Sequence, residues 1–179
     1  MYVSNPSLNI IAGGCGSGKS MLIRCIMYEM IKKYEECKYC YVFCGGSSLE
    51  CYENFIDKKF LIPYDPKGKK KNDVSKAEEK LKLIMKYQGE HKTPCMIIFD
   101  DILGLADLNS NTFIQLFTTF RHMQMLIVSQ YINKVPPFCR GCAYTCMVFR
   151  QSIKRSIDAL NENFLLMYLW KIGKKQKII

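Results

Sequence analysis

The sequence lacks any apolar run long enough to cross a bilayer. Its longest strongly apolar stretches, FLLMYLW and MLIV, are far shorter than the roughly 20 residues that a membrane-spanning helix needs. The amino-terminal stretch MYVSNPSLNIIAGG carries neither a basic start nor a long apolar run, so it does not fit a signal peptide. We therefore expect no membrane span and no secretion.

Acidic residues are few relative to basic ones. The 179 residues include 26 Lys and Arg but 16 Asp and Glu, which gives a formal net charge of +10. This balance favours a polyanionic partner, nucleic acid first and an anionic membrane second, although a basic surface without a partner also fits it. Internal repeats are absent, and a hydrophobic content of 49% excludes a disordered tail and suffices for one domain with its own core.

Cysteine, in contrast, is abundant, with ten residues. Because we expect a reducing compartment, we interpret them as free thiols and not as disulfides. The pairs Cys37/Cys40 and Cys139/Cys142, with Cys146 nearby, contain enough thiolates for a structural zinc site. The two pairs lie far apart in sequence, and Cys142 and Cys146 fall in a predicted strand. We therefore favour buried reduced thiols and do not expect zinc.

Apolar segments of strand length alternate with amphipathic helical segments along the chain. The pattern predicts strands at 9–12, 39–44, 95–101, 125–130 and 142–150, and helices at 20–34, 75–88, 109–122 and 152–164. Ser75 and Glu78 fit a capping box at the start of the second helix. The proline- and lysine-containing stretches 62–76 and 133–141 are predicted loops. The alternation predicts an α/β fold with a mostly parallel central sheet flanked by helices on both faces.

The stretch IAGGCGSGKS fits the pattern G-x-x-x-x-G-K-[ST] between a predicted strand and a predicted helix. Glycines let backbone N–H groups converge on phosphate oxygens, and the helix dipole adds positive potential. In this pattern Lys19 reaches the β- and γ-phosphates and Ser20 ligates Mg²⁺. The predicted nucleotide-binding residues are Gly13, Gly14, Cys15, Gly16, Ser17, Gly18, Lys19 and Ser20.

Polar residues also end two later strands. Asp100, in IIFDD, is predicted to hold Mg²⁺ directly or through water, and Asp101 to accept a proton from the attacking water. Gln130 ends LIVSQ, a strand that in a parallel sheet can neighbour the loop strand. That position would put its amide beside the γ-phosphate, where it could orient the water. The alternative interpretations are a helix cap or loop solvation for the two aspartates, and an ordinary polar strand end for Gln130.

Two arginines are candidates for stabilising the transition state of phosphoryl transfer, either within the chain or from a neighbouring subunit. Arg121 closes a predicted helix, where a cation is also favourable without any catalytic role, and Arg140 follows a Pro-Pro loop. We expect His122 to be structural or at the surface. A lysine run in the predicted loop could contact DNA phosphates, or it could simply be solvated. Its members are Lys67, Lys69, Lys70 and Lys71. The lysines of 171–177 are a second candidate set.

The order of motifs resembles the DNA-packaging ATPases of large DNA viruses and virophages, the poxvirus-type family of the FtsK–HerA branch of P-loop motors. The motifs GGCGSGKS, IIFDD, FRH, LIVSQYINKVPPFCR and CMVF follow one another between Leu8 and Phe149. The resemblance implies a RecA-like ASCE core that binds ATP and Mg²⁺ and assembles into a ring homo-oligomer. It further implies ATP hydrolysis at subunit interfaces, transport of double-stranded DNA, and capsid or portal-type partners. The implied location is the cytoplasm of the infected cell, in the viral factory, or the virion.

By position in the family pattern, Asp100 and Asp101 match the Walker B acids and Gln130 matches the polar sensor. We expect residues 1–150 to form the ATPase core and 151–179 to add a carboxy-terminal helix and basic tail to the same domain. Two other functions stay open. A P-loop nucleoside kinase of the zinc-containing thymidine type shares the size and the C-x-x-C pairs, but no convincing substrate-lid segment is present. A nucleotide-binding scaffold without turnover is opposed by the intact acidic pair.

Overall fold

The computed structural model describes residues 7–33, 37–64, 72–103, 106, 108–119, 122–150 and 154–161. Its sheet has six strands, in chain order β1 (Leu8–Ala12), β2 (Tyr39–Gly45), β3 (Leu61–Tyr64), β4 (Cys95–Asp100), β5 (Gln124–Ser129) and β6 (Thr145–Val148). The α-helices are α1 (Lys19–Met27), α2 (Asn72–His91), α3 (Asn111–Thr119), α4 (Pro137–Cys142) and α5 (Lys154–Leu160). A π-helical turn, Tyr28–Lys33, extends α1, and 3₁₀ turns occupy Gly46–Cys51, Lys58–Phe60 and Ile132–Lys134.

The strands lie in the order β3-β2-β4-β5-β1-β6, and every neighbouring pair is parallel. Strand β5 therefore separates β1 from β4. The register places Ala12 beside Ser129 and Asp100 beside Val128. The carboxyl ends of these three strands meet at one edge of the sheet, which is where open α/β sheets bind ligands.

Buried side chains on both faces explain why the central strands are almost wholly apolar. Every residue of β1, β4 and β5 is buried. One face packs against α1 through residues such as Ile23 and Ile26. The other face packs against α2, α3, α4 and α5, with Phe99 contacting Phe113 and Phe117. The predicted α/β class with flanking helices is thus confirmed.

Several local predictions were wrong. The stretch 62–76, predicted as a loop, contains most of β3. Helix α2 begins at Asn72, so Ser75 lies within the helical sequence and is not its N-cap. Pro63 is compatible with β3 because this strand lies at the sheet edge, where one row of N–H groups needs no partner. The predicted loop 133–141 contains most of α4, which starts at Pro137, a residue well suited to a first helical turn. The strand predicted at 142–150 is shorter in the structure, Thr145–Val148, because Cys142 belongs to α4.

The cysteines are all free thiols. Cys40 is buried beside Cys37 and Cys95, and burial is the main cause of its raised pKa. Within the described ranges, no group of three or more His, Cys, Asp or Glu side chains is arranged to hold a metal ion. In the described part of the chain, no helix combines the length and apolar character that crossing a membrane requires.

Candidate functional site

The predicted phosphate loop leaves β1 and enters α1 at Lys19, as its sequence indicates. The Gly13 N–H donates to the Ser129 carbonyl at 3.0 Å, which fixes the start of the loop against β5. Gly16 and Gly18 have φ values of 69° and 97°, a region that disfavours any side chain. Gly18 is the residue before α1 and provides no side-chain cap. The first-turn N–H groups of α1 have no intrahelical acceptors, so they can bind an anion.

Lys19 lies across this loop. Its Nζ donates to the Gly13 carbonyl at 2.7 Å and to the Gly14 carbonyl at 2.8 Å. Ser20, next in the first turn of α1, is half-buried. The ammonium group is therefore held at the mouth of the loop, close enough for its charge to oppose the rise that burial causes in the pKa of Asp100.

Asp100 ends β4 and is 6% exposed. The Tyr52 hydroxyl donates a hydrogen bond of 2.8 Å to its Oδ2 atom. Burial raises the pKa of Asp100, the Tyr52 hydrogen bond opposes this rise, the Asp101 carboxylate adds to it and Lys19 opposes it. Burial also raises the pKa of Tyr52, so the phenol stays protonated and acts as the donor.

Asp101 and Gln130, predicted from two separate strand ends, contact each other. The Gln130 Nε2 atom donates to the Asp101 Oδ2 atom at 2.9 Å. Asp101 has a φ of 55°, and its N–H donates to the Val128 carbonyl at 3.1 Å, which turns the chain away from β4. Asp is one of the few residues that tolerate this left-handed conformation. Both side chains are half-buried, so they can still meet solvent or a ligand.

The remaining candidates are positioned less directly. Arg140 lies in α4, and its Nη1 atom donates to the carbonyl of Val135, which precedes α4 in the connection between β5 and β6. His122 is half-buried, and burial together with the Lys92 ammonium lowers its pKa. Arg121, the lysines of 171–177 and the run Lys67, Lys69, Lys70 and Lys71 lie outside the described residues.

Two residues at the site escaped the sequence analysis. Tyr52 reaches Asp100 from the segment after β2, and no motif marks it. Phe149 follows β6; its N–H donates to the Ala12 carbonyl at 2.8 Å, and its side chain lies against Gly13 and Gly18. The sequence placed Phe149 in a predicted strand and at the end of the CMVF motif, but neither signal indicated its contact with the loop glycines.

Because Phe149 packs closely against Gly13, we expect a side chain at position 13 to destabilise the fold. A Cβ atom at Gly13 would lie 2.6 Å from the Phe149 Cβ and 2.7 Å from the Ser17 Oγ, so Gly13→Ala forces a shift. We expect it to lower the free energy of unfolding by about 1–3 kcal/mol, the usual cost of overpacking. Denaturant titration measures this. Gly14→Ala is the matched control because its Cβ meets no atom within 4 Å; equal midpoints for the two variants would contradict the prediction.

The oxygen donors at the strand edge fit Mg²⁺ by their chemistry. The Ser20 hydroxyl and the Asp100 carboxylate are hard oxygen ligands, the class that Mg²⁺ prefers, and few protein ligands suffice when phosphates supply the others. The raised pKa of Asp100 marks a buried carboxylate that a nearby cation would stabilise in its charged form.

Comparison with known proteins places this geometry in context. A model of the family described as Poxvirus A32 protein matches residues 4–177. Among curated proteins, none matches. The genome packaging NTPase B204 from Sulfolobus turreted icosahedral virus 2 superimposes with a TM-score of 0.71 in its sulfate complex, at 14% identity, over 94% of this chain and 86% of that one. Its AMP complex gives 0.67 at 15% identity, over 95% and 88%.

The cytoplasmic domain of EssC gives a TM-score of 0.65 at 12% identity, over 89% of this chain and 34% of that one. At such identities the likeness shows the fold alone, one that this chain shares with the B204 packaging NTPase. The family match confirms the resemblance to viral packaging ATPases that the order of motifs indicates.

Proposed function

The chain belongs to the poxvirus A32 protein family, and from that premise we propose that it is an ATPase that drives double-stranded DNA into a viral capsid. One observation carries the proposal: Lys19, Asp100 and the Asp101–Gln130 pair lie at the same edge of the sheet. The structural relative B204 is a DNA-packaging ATPase, which supports the same function here.

ATP binding uses the loop and the start of α1. Backbone N–H groups of the loop after Gly13 and of the first turn of α1 surround the phosphates. Lys19 moves its ammonium from the Gly13 and Gly14 carbonyls to the β- and γ-phosphates. Ser20 and Asp100 hold Mg²⁺, which neutralises charge on the phosphate oxygens when it is bound.

Hydrolysis uses the second acidic residue. Asp101 accepts a proton from the attacking water, and Gln130 donates to Asp101, so that the carboxylate keeps one orientation. The predicted direct contact between Gln130 and the water is compatible with this arrangement, because an amide has a second N–H and a carbonyl oxygen available.

The catalytic unit in this proposal is a ring homo-oligomer that hydrolyses ATP at its subunit interfaces. An arginine from the neighbouring subunit stabilises the transition-state charge, an effect worth about 10³–10⁵ in rate. Arg140 already donates to a carbonyl of its own chain, which favours Arg121 for this role.

The net charge of +10 supports a DNA partner that is held through phosphates without sequence reading. The lysines of 67–71 are the proposed contacts. Capsid or portal-type proteins are the proposed partners, and the cytoplasm of the infected cell or the virion is the proposed location.

Phosphate release from ATP tests the proposal. We expect turnover per chain to rise when double-stranded DNA is added at low salt and to rise again with protein concentration, because neighbouring subunits complete each site. Added salt is expected to weaken the DNA effect, since phosphate contacts are lost.

Flat, near-zero turnover in all these conditions, with ATP still bound, would contradict the motor and favour a nucleotide-binding scaffold. Transfer of the γ-phosphate to an added nucleoside would instead favour a kinase. A zinc assay on the same preparation separates the thymidine-kinase type from other kinases.

A further inference from the structure

The Tyr52 hydroxyl makes an unusual contact for a residue outside any motif. Tyr52 is 1% exposed, and Asp100, the residue it contacts, is 6% exposed, so water does not compete freely for the bond. A buried phenol bonded to a charged carboxylate forms a charge-assisted hydrogen bond, one of the stronger kinds in proteins.

The segment that carries Tyr52 is itself fixed. The Tyr52 N–H donates to the Leu49 carbonyl at 2.9 Å, and the Tyr52 carbonyl accepts from Ile56 at 3.0 Å. Arg24, from the helix that follows the phosphate loop, donates to the Cys51 carbonyl at 3.1 Å, and its guanidinium lies 4.9 Å from the centre of the Phe55 ring. The Tyr52 hydroxyl therefore reaches Asp100 from a segment that Arg24 connects to α1.

We infer that Tyr52 is a positioning residue for the Mg²⁺ site, which fixes one carboxylate oxygen of Asp100 and leaves the other as the ligand. The terminal torsion of an aspartate is broad, so a carboxylate without such a contact samples many orientations. Hydrogen bonds that orient metal-binding side chains commonly change metal affinity by about 10–100-fold. The inference rests on the proposed function of the same site.

Tyr52→Phe in the full chain removes the hydroxyl and little else. The chain also offers a matched control: Tyr64 is fully buried as well, but its hydroxyl has no hydrogen-bond partner among the described residues. For each protein we would titrate a fluorescent ATP analogue in EDTA, and then titrate Mn²⁺ into the analogue complex and follow free Mn²⁺ by electron paramagnetic resonance.

We expect Tyr52→Phe to keep the EDTA affinity for nucleotide within about twofold and to raise the Mn²⁺ concentration at half-saturation by about 10-fold. Tyr64→Phe should match the wild type in both titrations. In an Asp100→Asn background, Tyr52→Phe should add no further loss of Mn²⁺ affinity, because the acceptor of its bond has lost its charge. Arg24→Gln, which loosens the support without removing the hydroxyl, should shift Mn²⁺ binding in the same direction by less.

Unchanged Mn²⁺ half-saturation in Tyr52→Phe, with or without a lower melting temperature, overturns the inference and leaves the proposed function intact. A shift of equal size in Tyr64→Phe overturns it too, since it would reflect general softening of the core. Wild-type protein that binds no nucleotide under any condition overturns the proposed function, and the inference with it.

Discussion

Replacing Lys19 by alanine is expected to lower the affinity for ATP by about 100-fold and to abolish measurable turnover. Charge-assisted hydrogen bonds contribute about 1.5–3 kcal/mol each, and the loss of two such contacts to phosphates amounts to about 3 kcal/mol at the lower bound. The Lys19 ammonium already lies at the loop, bonded to the Gly13 and Gly14 carbonyls, so it needs only a short movement to reach phosphate oxygens.

Equilibrium titration with a fluorescent ATP analogue measures this loss. Lys38→Ala is the control, because Lys38 is exposed and directly precedes β2, at the amino ends of the strands and thus at the opposite edge of the sheet. Both variants lose one positive charge, so a general electrostatic effect would weaken both. Thermal unfolding of the two variants checks that the loop carbonyls, freed of Lys19, do not destabilise the fold. ATP affinity within threefold of the wild type would rule out the assigned role of Lys19.

The position of the candidate site could be predicted because its signals are local. The glycines and Lys19 belong to one short stretch, and Asp100, Asp101 and Gln130 each end an apolar strand. In a parallel sheet the carboxyl ends of all strands share one edge, so the edge at which the strand-end residues lie is predictable whatever the strand order. The order itself, with β5 between β1 and β4, follows from long crossovers that no local pattern encodes.

Elements with weak local signals were missed for a different reason. Strand β3 has four residues and contains Pro63, so the pattern resembled a loop; its position at the sheet edge is a tertiary property. Helix α4 has six residues and starts at the second proline of a Pro-Pro pair, a sequence that is typical of a loop. Tyr52 is separated from Asp100 by 48 positions, and only the pairing of β2 with β4 brings the segment after β2 to the acidic residue.

Asp101→Asn is expected to preserve ATP binding and to lower the rate of hydrolysis by about 10²–10⁴-fold, the usual contribution of a general base. Asparagine is the informative replacement. It tolerates the φ of 55° at this position, which alanine would occupy only with strain, and its carbonyl oxygen can still accept the hydrogen bond from Gln130. The variant thus removes the proton acceptor and keeps the geometry.

Single-turnover phosphate release and nucleotide titration separate the two effects. Glu90→Gln is the control for the loss of one carboxylate, because Glu90 is exposed near the end of α2, close to the amino end of β4. Gln130→Ala should lower the rate by less than Asp101→Asn, since it frees the carboxylate without removing it. If Asp101→Asn hydrolysed ATP at the wild-type rate, the general base would have to be another group, and the Asp101–Gln130 pair would serve only to turn the chain after β4.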